Sequence, residues 1–154
     1  MTPLSIPAPG EAKRGEQGHI AYLLRQASAA VRQRLEQGFA DRAMTLPQFT
    51  ILTMLKAYPG LSGAELARIS LLTPQTVNVI TANLLKRGAI ARGRSAEDKR
   101  IFVLSLTPAG AEDLAFCRAI ADRIEQELLH GLSGADEAVI RRWLVSAAGP
   151  GEAG

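Results

Sequence analysis

A chain of 154 residues, 47% hydrophobic and 21% charged, has the size and composition of one globular domain; it is too short for two ordinary domains and too apolar to be disordered throughout. The formal charge of +3 excludes a uniformly basic protein: Lys86, Arg87, Arg92, Arg94, Lys99 and Arg100 outnumber Glu97 and Asp98 by four within one short stretch, which leaves the rest of the chain nearly neutral. Cys117 is the single cysteine, so an intrachain disulfide is excluded, and no apolar run approaches the roughly 20 residues of a membrane span; the expected location is cytoplasmic, with no membrane partner.

The two ends, residues 1–17 and 148–154, are rich in Pro, Gly and Ala and are expected to form a flexible arm and tail. From about His19 to Ala43, Ile20, Leu24, Ala27, Val31 and Leu35 recur at spacings of four, three, four and four, which predicts a long amphipathic helix. A second, shorter helix follows from Thr45 as cap, Pro47 in the first turn, Phe49, Ile51, Leu52 and Leu55 inside, and Pro59-Gly60 as the stop. Ser62 with Glu65 three positions on forms a capping-box pattern and opens a third helix of about two turns. Thr73 and Pro74 open a fourth, whose Val77, Ile80 and Leu84 share one face until Gly88 ends it.

Residues 89–94 and 100–106 then read as two strands around a polar tip. Thr107 and Pro108 start a fifth helix with Leu114, Cys117, Ala121, Ile124 and Leu128 on one stripe. Ser133 with Asp136 starts a sixth, carrying Ile140, Trp143, Leu144 and Ala147. The predicted order is ααααββαα: a mainly α chain with a small β-hairpin.

A short helix pair with a turn of about four residues, followed at once by a basic hairpin, is the pattern of a winged helix-turn-helix. Such a unit presents donors and acceptors near the N-terminal end of its second helix to base edges in the major groove. Thr73, Gln75, Thr76, Asn78 and Val79 stand there; Gln75 and Asn78 suit adenine, and the Val79 methyls suit a thymine methyl. The plain alternative is that Thr73 only caps and the others are solvated. In the hairpin, Arg100 is the candidate for the minor groove. Arg92, Arg94 and Lys99 are the candidates for phosphates, and Asp98 is expected to orient Arg100, with Arg94 as a second possible partner.

These residues carry a resemblance. The stretches "LPQFTILTML", "SGAELARISLLTPQTVNVITANLLKRGAI", "DKR" at Asp98–Arg100 and "LSLTPAG", in this order and spacing, resemble the MarR family of bacterial transcriptional regulators over roughly residues 17–144. The resemblance implies a homodimer with N- and C-terminal dimerisation helices, here residues 18–44 and 108–147, and a winged DNA-binding domain, here 45–107, reading a palindromic operator in double-stranded DNA. It also implies release by a small aromatic or phenolic effector, for which His19, Tyr22 and Arg25, with Phe49, are candidate contacts; the alternative for His19 and Tyr22 is packing at the dimer interface. Asn78 stands where Ser or Thr is common in the family and Val79 where a basic residue is common, so operator preference does not carry over. The family's peroxide sensors have a cysteine near the start of the first helix, and this chain has none there.

No catalytic motif, phosphate loop or metal-ligand spacing is present; His19, Cys117 and His130 share no ligand pattern, and no enzyme, metal or cofactor is expected. Cys117, on an apolar stripe, reads as a buried structural thiol more readily than as a redox sensor. A winged-helix module that grips a protein instead of DNA is the reading from another functional class.

Overall fold

The computed structural model describes residues 5–149. Six helices and a two-stranded antiparallel hairpin follow the expected order: α1 (Ile20–Phe39), α2 (Leu46–Ala57), α3 (Gly63–Ser70), α4 (Pro74–Arg87), β1 (Ile90–Arg94), β2 (Phe102–Leu106), α5 (Pro108–Leu128) and α6 (Gly134–Ala148). The helix starts follow from local chemistry. Ser62 with Glu65 and Ser133 with Asp136 form reciprocal capping boxes, as does Thr45 with Gln48. Thr73 and Thr107 cap α4 and α5 ahead of Pro74 and Pro108. Each satisfies backbone N–H groups that the first helical turn leaves without partners.

Three boundaries differ from expectation. The first helix stops at Phe39; a 3-10 turn over Ala40–Arg42 and a left-handed Ala43 (φ 49°) then swing the chain into α2. Phe39 is fully buried, so the turn is anchored by packing rather than by a helix-stop residue. The second strand begins at Phe102 instead of Arg100, because Asp98–Ile101 forms a tight turn in which the Ile101 N–H donates to the Asp98 carbonyl at 3.0 Å. Residues 5–17, expected as part of a flexible arm over 1–17, close on themselves: Arg14 Nη1 donates to the Pro7 carbonyl at 2.7 Å. The rest of that arm and most of the tail lie outside the described residues.

One core joins α1–α5 and the hairpin, with Phe39, Ile51, Leu52, Leu66, Val77, Leu84 and Cys117 at its centre. The hairpin pairs Ile90 with Leu106 and Arg94 with Phe102, and Leu61 bridges to Leu104, tying the wing to the loop before α3. Helix α6 buries no residue. It rests on the end of α5, where Arg141 Nη2 reaches Glu125 at 2.7 Å. Among the described residues no helix is long and apolar enough to cross a membrane.

Candidate nucleic-acid interface

Helices α3 and α4 meet through Leu71, Leu72 and Thr73. Leu71 turns the corner in the left-handed region (φ 57°), a conformation that disfavours any residue with a Cβ, and its side chain is 91% exposed. In α4, Val77, Ile80 and Leu84 face the core, so the geometry of 100° per residue turns Gln75, Asn78 and Val79 outward. All three are exposed, Val79 by 62%. Thr73 and Thr76 are tied to each other: the Thr76 N–H donates to Thr73 Oγ1 at 3.2 Å, and the Thr73 hydroxyl donates to that of Thr76 at 2.9 Å. The outward face continues through Asn83, also exposed. The sequence reading missed Asn83, although its spacing of four from Val79 marks it.

The hairpin holds its charges in fixed positions. Asp98 accepts two bonds from the Arg100 guanidinium, Nε to Oδ1 at 3.1 Å and Nη2 to Oδ2 at 3.0 Å, and a third from the Arg100 backbone N–H at 3.0 Å. These bonds, the side-chain pair first, hold the Asp98 carboxyl below the usual carboxylate range. Arg100 remains 91% exposed at its side chain, oriented yet open. A bidentate pair of this kind restricts a long cation that would otherwise sample many rotamers.

Arg94 is not a partner of Asp98. It donates to the Lys99 carbonyl at 2.9 Å and lies 4.0 Å over the Phe102 ring, with Arg92 5.1 Å from the same ring. Cross-strand pairing of Arg94 with Phe102 makes the stack possible, and it leaves Arg94 closing the wing loop. Phe102 was not singled out from the sequence, where it read only as strand. Arg92 and Lys99 are exposed. Arg87, counted with the basic stretch, turns its side chain away from this surface to Asp113 on α5.

The proposed effector contacts are not brought together within one chain. Phe49 packs on Phe39 at the C-terminal end of α1, with ring centroids 5.1 Å apart. His19, Tyr22 and Arg25 stand near the other end of a 20-residue helix, about 30 Å long at 1.5 Å per residue. Phe49 instead lies beside an open cleft of roughly 530 Å3 between α2 and α5. Arg118, in the cleft wall, sits 5.6 Å over the Phe49 ring. Lys56 adds a second cation there, and Thr53 contributes a buried hydroxyl without a hydrogen-bond partner. Cys117 is fully buried, and burial, followed by the charge of Asp113, pushes its thiol up. No group of three potential metal ligands occurs among the described residues.

Known proteins share this fold. A profile of the MarR family matches residues 44–101, from the start of α2 through the wing tip. The HTH-type transcriptional repressor Rv2887 of Mycobacterium tuberculosis is 38% identical over 106 residues, covering 69% of this chain and 71% of that one. The chain belongs to the MarR family. This MarR-family protein is therefore a DNA-binding transcriptional regulator and not an enzyme. The crystal structure of Rv2887 in complex with salicylic acid superimposes with a TM-score of 0.66 at 30% identity, covering 86% of this chain and 98% of that one. A MepR–DNA complex from Staphylococcus aureus gives 0.79 at 25% identity, covering 86% and 96%. The winged helix-turn-helix of this MarR-family chain thus has the fold of a protein caught on DNA.

Proposed function

We propose that two copies of this chain bind a pseudo-palindromic operator as a homodimer and repress transcription until a small aromatic acid or phenol releases them, in the cytoplasm. The observation that carries the reading is the wing tip, where Asp98 presents an exposed Arg100 in one orientation; the N-terminal face of α4 is exposed as well. In this reading Gln75, Asn78 and Val79 meet base edges in the major groove, Thr73 and Thr76 stand beside the backbone, and Arg100 enters the minor groove, where negative potential is strongest over narrow A·T tracts. Arg92 and Lys99 neutralise phosphates, and Arg94 acts with them from its stack on Phe102. Residues 45–107 form the DNA-binding part, and 18–44 with 108–147 the dimerising part.

Dimerisation is supported by apolar side chains that the described residues leave partly uncovered. Ile20 and Leu24 on α1, and Ile140, Trp143 and Leu144 on α6, are all exposed. Leu24, Ile140 and Leu144 line an apolar groove of roughly 760 Å3 among α1, α5 and α6, the kind of exposed apolar surface that marks an association site. For the effector, the α2–α5 cleft offers Lys56, Arg118 and the unpartnered Thr53 hydroxyl against one carboxylate, Asp122, among apolar alanines and Leu114, a set in which the two cations suit a carboxylate-bearing compound. His19, Tyr22 and Arg25 join that site only if a second copy supplies them.

Selection of bound sequences from random duplexes tests the reading. The expected product is a pseudo-palindrome with half-sites about 10 base pairs apart, centre to centre, bound with an affinity that falls steeply as salt rises. Salicylate is the first effector to try, because it occupies the related Rv2887 structure; it should weaken operator binding and raise the melting temperature. No enrichment and no binding at low salt would favour a winged-helix module that grips a protein.

A further inference from the structure

Away from the DNA-facing surface, one buried carboxylate holds three elements together. Asp113, early in α5 and only 7% exposed, accepts from Arg87 Nε at 2.8 Å through Oδ2 and from Arg42 Nη1 at 3.1 Å through Oδ1. Arg87 is the last residue of α4, and Arg42 belongs to the turn that closes α1. The remaining donors of Arg87 reach that same turn: Nη2 to the Arg42 carbonyl at 2.6 Å and Nη1 to the Ala43 carbonyl at 3.4 Å. Arg42 also lies 5.1 Å over the Phe116 ring, one turn along α5 from Asp113. Burial raises the Asp113 carboxyl most, yet the bonds from Arg87 and Arg42 together outweigh it and the net displacement is downward, so the carboxylate is held ionised.

The node has a backbone counterpart. The Thr107 N–H donates to the Ala89 carbonyl at 3.1 Å, the Thr107 hydroxyl bonds the Gly88 carbonyl, and a Cβ at Gly110 would collide with the Ala89 carbonyl oxygen. The residues that follow α4, Gly88 and Ala89, are therefore docked by their backbone onto the start of α5, and the Arg87 side chain ties the end of α4 to Asp113 and to the turn after α1. Tilting α4 against α1 and α5 would separate Asp113 from its partners and leave a buried carboxylate unpaired, a costly state.

We propose that Asp113, through Arg87 and Arg42, is a positioning residue for operator recognition: it sets the angle of the recognition helix on the dimerising helices, and so the half-site spacing that the dimer accepts. The inference rests on the dimer-on-operator reading above. It touches no base and no phosphate, so its signature is loss of spacing discrimination rather than loss of salt dependence.

The test uses the full-length protein and the duplex recovered by selection, with versions carrying one base pair more or less between the half-sites. Each base pair rotates one half-site against the other, so wild type is expected to bind the altered duplexes at least about tenfold more weakly. If wild type does not discriminate, the operator reading itself fails. Given discrimination, the double variant Arg87→Met with Asp113→Leu replaces the ion pair by apolar groups, a change that often leaves stability intact. It is expected to remain a dimer by light scattering, to keep the wild-type salt slope, and to prefer the native spacing by less than about threefold. A folded dimer that keeps wild-type affinity and wild-type spacing preference overturns the proposal and leaves Asp113 a plain stabiliser. Arg42→Gln removes one of the two bonds at a more exposed site; it provides the same readings if the double variant does not fold, with a partial loss of discrimination expected and an unchanged preference counting against the proposal.

Discussion

In the winged half, Leu52, Leu66, Val77 and Leu84 are almost completely enclosed, whereas on α6 Ile140, Trp143 and Leu144 stay 37–42% exposed. Both regions carry amphipathic stripes of similar spacing. The difference lies in what the stripe meets: α2, α3, α4 and the hairpin cover one another, while α6 and the start of α1 border an open groove and stay partly exposed among the described residues. Similar periodicity thus accompanies a closed core in one place and a partly exposed face in the other, because periodicity specifies that a face is apolar and not what covers it.

Substitutions can break that comparison. Leu84→Ala removes a fully buried side chain from the recognition helix and should cost about 2–5 kcal/mol of folding stability, read as a lower urea midpoint. A loss below about 1 kcal/mol would mean that the winged core is less tightly closed than its burial implies. Leu144→Glu, on the open face, should leave the far-ultraviolet spectrum of the fold in place yet yield a monomer by light scattering. Operator affinity should drop by at least about a hundredfold, because two linked half-site contacts become one. A Leu144→Glu protein that remains dimeric would put the partner on another face.

Two smaller effects sharpen the picture within the winged half. Arg100→Ala should weaken operator binding about 10- to 100-fold in a filter or fluorescence titration, while Lys99→Ala mainly reduces the salt slope by about one. Asp98→Ala should also weaken binding, although it removes a negative charge that long-range electrostatics would count as repulsive to DNA. Tighter binding by a folded Asp98→Ala dimer would remove the orienting role of the carboxylate. At Leu71, Gly relieves the left-handed strain of an exposed side chain and should raise stability by about 0.5–1 kcal/mol; a lowered melting temperature would show that Leu71 makes contacts its exposure hides.

Most helix starts were legible because their information is local. Ser62 with Glu65, Ser133 with Asp136, Thr73 with Pro74 and Thr107 with Pro108 each lie within one helical turn, and the capping geometry needs nothing from the rest of the chain. The pairing of Asp98 with Arg100 belongs to the same class, two residues apart in one turn. The end of α1 was less legible, since Phe39 stops the helix by packing and Ala43 turns left-handed without being glycine.

By itself, then, the amino-acid sequence determined the order of elements, the caps, the inward face of α4 and the exposed charge at the wing tip, all set by interactions a few residues long. Only the tertiary structure decided that Arg94 stacks on Phe102, that Phe49 lies with Arg118 instead of His19, Tyr22 and Arg25, and that Arg87 serves Asp113 and the α1–α2 turn rather than the basic surface. Arg87 and Asp113 are 26 residues apart, and a basic side chain in a basic stretch looks the same in sequence whichever way it points. Its direction depends on which buried acceptors the packed helices place beside it, and those positions exist only once the core has closed.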